Sequence, residues 1–208
     1  MLKKMIVACS LWILLVILLA GCGENKSSTQ LNSSSVSAIQ PIVSNQACVW
    51  VADGKISDSE YTGCQAFGDL KVFTRVAGDS VMFGLTANTE GYLALGIDPG
   101  GKMKDVDMIM CAVKDGSAVI GDMYGSGKHS KHPADLDLGG KMDLTDIGGG
   151  REGSTSVIEF KRKLDTGDSM DKTLILGENK VIWALGKTGS FDVEHSKAGT
   201  GVLMLKTN

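Results

Sequence analysis

A thioether and an imidazole, Met103 and His195, are the residues of this chain best suited to redox chemistry. Met103 follows Gly91-Tyr-Leu-Ala-Leu-Gly-Ile-Asp-Pro-Gly-Gly101, an apolar run that ends in the turn-forming Asp98-Pro99-Gly100-Gly101, and strand-type residues resume at Val106. A methionine placed there stands at the lip of a strand and is aimed into a pocket. Sulfur and imidazole together are the axial pair of six-coordinate haem iron, and the thioether raises the potential by favouring the reduced metal. About ninety residues separate the two, so only the fold can bring them together. Met108 and Met110 are the rival sulfurs. They share one face of the next strand, where methionine more often fills a core, and either could line a haem slot instead.

A second constellation joins His129 and His132 with Asp122, Asp135 and Asp137, residue types that hold zinc or calcium. Lys128 and Lys131 stand beside the two imidazoles, however, and no tight ligand spacing is present. Lys128, Lys131 and Arg162 are candidates to pair with haem propionates or simply to form a solvated face. The absence of Cys-x-x-Cys-His excludes covalent c-type attachment. Gly-x-Ser-x-Gly, Walker-type and strand-linked Gly-x-Gly-x-x-Gly motifs are also missing, and Gly148-Gly149-Gly150 precedes a strand rather than a phosphate-binding helix.

The elements that would position these groups begin after residue 46. Lys3 and Lys4, the apolar run from Met5 to Leu19 and Leu18-Leu19-Ala20-Gly21-Cys22 form a bacterial lipoprotein signal (1–21), too short for a comfortable membrane span. Cleavage before Cys22 would leave its thiol lipidated, with palmitate-type chains, and the rest outside the cytoplasm. Residues 22–46, rich in Ser, Asn, Gln and Thr, are expected to form a flexible tether. Loss of Lys3 and Lys4 leaves 19 basic against 24 acidic residues, a net charge of −5, with no basic stripe to follow a phosphate backbone; nucleic acid is excluded as a partner. Of the remaining cysteines, Cys48 and Cys64 flank one short hairpin-like segment and are the expected disulfide, with Cys111 a buried thiol.

Residues 47–208 read as one all-β domain, a two-sheet antiparallel sandwich of immunoglobulin-like type. Strands are expected at 47–51, 71–76, 80–87, 92–97, 106–113, 118–123, 141–147, 154–163, 181–186 and 201–206. In Ser80-Val-Met-Phe-Gly-Leu-Thr86 the apolar positions alternate imperfectly, as they do when the outer face is partly covered. The polar, Gly-rich segment 124–140 reads as a long loop at one end of the sandwich, a common place for binding.

Several segments taken in order resemble one family. They are Trp50-Val-Ala-Asp-Gly-Lys-Ile-Ser-Asp-Ser-Glu-Tyr61, Gly91-Tyr-Leu-Ala-Leu-Gly96, Met103-Lys-Asp-Val-Asp107, Asp115-Gly116 with Asp122-Met-Tyr124, Val157-Ile-Glu-Phe-Lys-Arg162 with Asp165-Thr-Gly-Asp168, Val181-Ile-Trp-Ala-Leu-Gly186, and Phe191-Asp-Val-Glu-His195-Ser-Lys-Ala-Gly-Thr-Gly201. The chain is similar to DOMON domains and to the b-type haem-binding sandwiches related to the cytochrome domain of cellobiose dehydrogenase and the γ subunit of ethylbenzene dehydrogenase. The resemblance implies the DOMON sandwich, with non-covalent haem b held by Met103 and His195. It departs from the family at Val193-Glu194, where an aromatic residue is common. Other members bind sugars or have no known ligand.

The resulting expectation is a lipid-anchored, extracytoplasmic one-electron carrier that transforms no substrate itself. Its partner would be a redox protein, such as a quinone-linked or dehydrogenase component. The alternative is a haem-free module of the same fold that binds carbohydrate or another small ligand. In the pocket, Trp183 and Phe191 are the expected apolar neighbours of His195, and Gly199 and Gly201 the expected points of close macrocycle approach.

Overall fold

The computed structural model describes residues 49–207 apart from 58, 102 and 128–131. Cys22, the tether, Cys48, His129, Lys128 and Lys131 therefore lie outside the described residues. Ten strands form two antiparallel five-stranded sheets, as the turn and strand pattern predicts. The first sheet contains β1 (Gly63–Phe67), β2 (Leu70–Ala77), β3 (Ser80–Asn88), β7 (Leu144–Glu152) and β8 (Thr155–Lys163), ordered β1-β2-β3-β8-β7. The second contains β4 (Leu93–Ile97), β5 (Lys104–Lys114), β6 (Ser117–Ser126), β9 (Gly177–Gly186) and β10 (His195–Leu205), ordered β10-β9-β4-β5-β6. Among the described residues no helix is long and apolar enough to cross a membrane.

The core lies between the sheets. Val81, Phe83 and Leu85 on β3 face Leu93, Leu95 and Ile97 on β4, and Phe83 stacks on Phe160 with ring centroids 5.1 Å apart. Burying side chains of this size contributes roughly 1.5–3 kcal/mol each, so this layer dominates stability.

The two outer faces are covered differently. Over the first sheet lies the segment 50–61, expected to open with a strand at 47–51; its described part forms none. The segment is held by side chains instead: Trp50 Nε1 donates to Tyr61 Oη (2.8 Å), and Tyr61 Oη donates to Glu159 Oε1 (2.7 Å). Gly54 N donates to Glu159 Oε2 (2.8 Å). A Cβ on Gly148 would meet the Ala52 carbonyl at 2.0 Å, and one on Gly54 would meet the Gly149 backbone at 2.8 Å. Gly148 on the strand and Gly54 on the cover thus let this segment settle onto β7. It also explains the imperfect alternation of β3, whose outer face at Gly84 is capped by Ile56 and Tyr61.

On the second sheet, β4 is buried along its whole length and β5 from Val106 to Val113. In an antiparallel sheet this requires apolar cover on both faces. A second cluster supplies it on the outer face: Tyr92, Ala94, Val106, Met108, Met110 and Ala112, with Met123, Ile182, Ala184 and Phe191 packed alongside.

Some expected elements are displaced. The strand predicted at 141–147 begins at Leu144 and runs to Glu152, the last strand starts at His195 rather than 201, and β1 at Gly63 was not anticipated. The loop predicted at 124–140 is shorter, because β6 continues to Ser126 and a 3₁₀ turn forms at Asp135–Leu138.

Candidate functional site

Met103 sits in the connection from β4 to β5. Gly100 N donates to the Lys104 carbonyl (3.0 Å) and Lys104 N to the Gly101 carbonyl (2.9 Å), closing a tight loop in which Asp98 and Asp105 have positive φ (43° and 52°). A bulge between Lys104 and Val106 follows and re-aims the strand start. Gly127 N donates to the Met103 carbonyl (3.2 Å), and Gly125 leaves room for that carbonyl, which a Cβ would meet at 2.5 Å. The Met103 turn is therefore seated on the end of β6.

His195 opens β10 opposite Gly186, and a bulge between His195 and Lys197 leaves Ser196 free to donate through Oγ to the Leu185 carbonyl (3.0 Å). Both expected ligands line one cavity of about 270 Å³. The cavity lies on the outer face of the second sheet, not in the mouth between sheets as the loop pattern suggests. Its floor is made of small side chains on three adjacent strands: Ala94 and Gly96 on β4, Ala184 on β9, Ala198 on β10. Met108 and Met110 form one wall. A neighbouring cavity of about 350 Å³ shares Tyr92, Met103, His132 and His195 and adds the segment from Phe191 to Glu194. Together the two are within the size range of small-molecule sites.

His132 is a third metal-ligating side chain in both cavities. Its segment runs beside the end of β6: Tyr124 N donates to the Pro133 carbonyl (3.0 Å), and Ala134 bridges to Met123. Burial, and then the neighbouring charge of His195, hold its pKa below the ordinary histidine value. Among the described residues its buried Nδ1 has no hydrogen-bond partner. From the sequence, His132 reads only as part of a zinc or calcium set. What brings it to the cavity is the pairing of 132–134 with β6, which local spacing does not reveal.

The zinc or calcium constellation is divided by the fold. His132 faces the outer cavity and Asp137 is exposed, whereas Asp122 and Asp135 are buried. Arg162, proposed for a solvated face or for propionates, is 1% exposed; its Nη2 donates to Asp107 Oδ2 (2.5 Å) and to the Lys172 carbonyl (3.0 Å). It is thus committed elsewhere. Of the two glycines expected near a macrocycle, Gly199 lines the cavity and Gly201 does not. A Cβ on Gly199 would lie 2.7 Å from Trp183 Nε1, and one on Gly201 would enter the Phe67 ring, so these glycines make room for aromatic rings. Trp183 also packs against Gly68, where a Cβ would come within 2.5 Å of its ring. Phe191 does flank the site, meeting Tyr92 edge-on at 6.2 Å, so this pair provides aromatic surface where Val193-Glu194 does not. Burial, then the charge of Glu194, raises the Tyr92 pKa. Among the described residues the exposed Cys64 and the buried Cys111 have no disulfide partner; Cys48, the expected partner of Cys64, lies outside them.

The DOMON domain family model matches residues 67–186, from the end of β1 through β9. The chain belongs to the DOMON domain family. Its curated relatives include MOXD1 homolog 1 of Drosophila melanogaster, 29% identical over 142 residues, 65% of this chain and 20% of that protein. DBH-like monooxygenase protein 1 of Mus musculus is 32% identical over 108 residues, 51% of this chain and 17% of that one. The DOMON chain thus spans about one fifth of the length of the curated relatives it matches. Among solved structures, the cytochrome b domain of pyranose dehydrogenase from Coprinopsis cinerea aligns with a TM-score of 0.48 at 16% identity, covering 65% of this chain and 76% of that one. The cytochrome domain of Myriococcum thermophilum cellobiose dehydrogenase aligns at 0.48 and 10%, covering 66% and 75%.

Proposed function

We propose that this DOMON domain binds one non-covalent haem b on the outer face of its second sheet, with Met103 and His195 as the iron ligands, and passes single electrons. The observation that carries the reading is that these two side chains, distant in sequence, line the same apolar cavity over a floor of alanine and glycine. The cavity fits the group chemically. A macrocycle needs a flat, greasy surface, which small side chains on adjacent strands provide, and iron needs a soft and a nitrogen donor. When bound, haem would supply one-electron exchange at iron.

The protein's own part is to hold and shield. The β4–β5 turn, locked onto β6 through the Met103 carbonyl, fixes the thioether. The β10 bulge fixes the imidazole. Met108, Met110 and the Tyr92–Phe191 pair exclude water from the slot, which tunes potential through burial. The same apolar lining argues against a sugar, whose hydroxyls need many polar partners. The chain is read as lipidated at Cys22 and held outside the cytoplasm, handing electrons to a redox protein without transforming a substrate of its own.

The test is the visible spectrum of the purified chain supplied with haem. A sharp reduced α band is expected. Met103→Ala and His195→Ala should each move the spectrum towards high spin, and Met108→Ala and His129→Ala should leave it unchanged. A wild-type spectrum in Met103→Ala would transfer the sixth ligand to Met108, Met110 or His132, and a chain that stays colourless with haem would end the electron-carrier reading.

A further inference from the structure

Between the sheets, where β8 ends and β5 begins, the fold buries more carboxylate than it neutralises. Asp107 and Asp135 are 0% exposed, Asp122 is 3% exposed, and the Asp171 side chain is 2% exposed. Arg162 is the cation that the ion pairs place among them, 2.5 Å from Asp107 and 3.4 Å from Asp171. Two backbone amides help: Lys172 N donates to Asp107 Oδ2 and Asp143 N to Asp122 Oδ2, both at 2.9 Å. Among the described residues the remaining oxygens are short of hydrogen bonds, and Asp171 Oδ2 has only its ion pair with Arg162. Asp107 Oδ1, Asp122 Oδ1 and both oxygens of Asp171 lack a hydrogen-bond partner. Asp135, on the separate 3₁₀ turn, is fully buried with both oxygens unpartnered, and it feels the charges of Asp122, Asp171 and Asp107. Buried charges without partners are rare because the desolvation cost is large; such groups take up a proton, pair with an opposite charge or coordinate a metal.

The donor chemistry and the burial together select the ion. One oxygen each from Asp107, Asp122 and Asp171 lies within 4.8 Å of the others. Such a span is one that the oxygens of a single coordination shell can share, and magnesium dehydrates reluctantly and keeps several waters, so a buried set of carboxylates suits calcium better. The donors are all hard carboxylates, without the thiolate or imidazole that zinc favours.

We propose that Asp107, Asp122 and Asp171, joined by Asp135, form an interior calcium site that fastens β5 and β6 to the segments carrying Asp135 and Asp171. The site lies on the opposite face of the second sheet from the haem cavity. Asp107 and Asp122 each precede a residue of the outer cluster, Met108 and Met123, so the ion also stiffens the wall behind the cavity. The proposal stands without haem.

The experiment uses the full chain, stripped with EDTA and dialysed. Calcium should raise its Tm in proportion to the logarithm of the free ion concentration, as a ligand of the native state must. Magnesium at equal concentration should raise it less, and calorimetry should give one calcium per chain. Asp171→Asn should lose the calcium response. Should that variant fail to fold, terbium luminescence of the wild-type chain, displaced by calcium at one-to-one stoichiometry, carries the same test. An EDTA-treated chain whose Tm ignores calcium overturns the proposal, as does a calcium response that survives in Asp171→Asn.

Discussion

Gly125 is the residue through which the proposed sulfur ligand can be moved without being touched. A methyl group there would stand 2.5 Å from the Met103 carbonyl oxygen, against the 3.4 Å at which ordinary contact begins, and it would also strike a methyl of Val106. Gly125→Ala must therefore push the Met103 turn outwards by about 0.9 Å. Sites of this kind tolerate roughly 0.5 Å of misplacement, so the thioether should no longer hold its position. Overpacking of this sort costs about 1–3 kcal/mol, which for a domain of this size lowers Tm by roughly 2–12 °C. Gly78→Ala is the control: φ is +62° there and no atom lies within 4 Å, so the change carries only the left-handed backbone penalty, about 1–2 kcal/mol. Thermal unfolding and the spectrum of the reduced haem-loaded protein are then read together. Both variants should lose stability, but only Gly125→Ala should move towards high spin. A low-spin spectrum in Gly125→Ala alongside the expected fall in Tm would refute the claim that the β6 contact positions the ligand.

Other outcomes follow from the cover over the first sheet and from the core. Tyr61→Phe removes the hydroxyl that links Trp50 to Glu159, leaving partly buried groups unpaired, and should cost about 1–3 kcal/mol in urea unfolding. Burial raises the Glu159 pKa above its ordinary value, outweighing the bonds from Tyr61 and Gly54. The folded state then holds a proton longer than the unfolded state, so this group's contribution is fully present below the ordinary glutamate pKa and is lost as pH rises through the raised value. The difference between wild-type and Glu159→Gln stability should accordingly vary across that window and be flat above it; a constant difference would contradict the shift. Burial pushes the Cys111 thiol far up, so it should resist alkylation in the native protein and react only on unfolding, as mass spectrometry of iodoacetamide-treated protein would record.

Period-two patterning was enough to reveal the β architecture. In Leu93-Ala-Leu-Gly-Ile97 the large residues face the core and the small ones the cavity, a division already visible as alternation of size. Met103 and His195 were legible as a ligand pair through the family resemblance, since taken singly a loop methionine reads as packing and a loop histidine as surface. The strand expected at 47–51 misleads for a physical reason: Val49 and Val51 are exposed, and the half-buried Trp50 is held by a side-chain hydrogen bond to Tyr61, so the described residues have the composition of a strand without its ladder.

Residue order alone thus determined most of the strand pattern and the absence of a covalent haem motif, since these depend on neighbours within a few positions. Tertiary structure decided which face carries the cavity, that His132 joins it, that Arg162 is sealed among aspartates, and that Gly199 and Gly201 accommodate aromatic rings. Each of these depends on contacts between strands far apart in the chain, where strand pairing and sheet packing, rather than local preference, choose the neighbour.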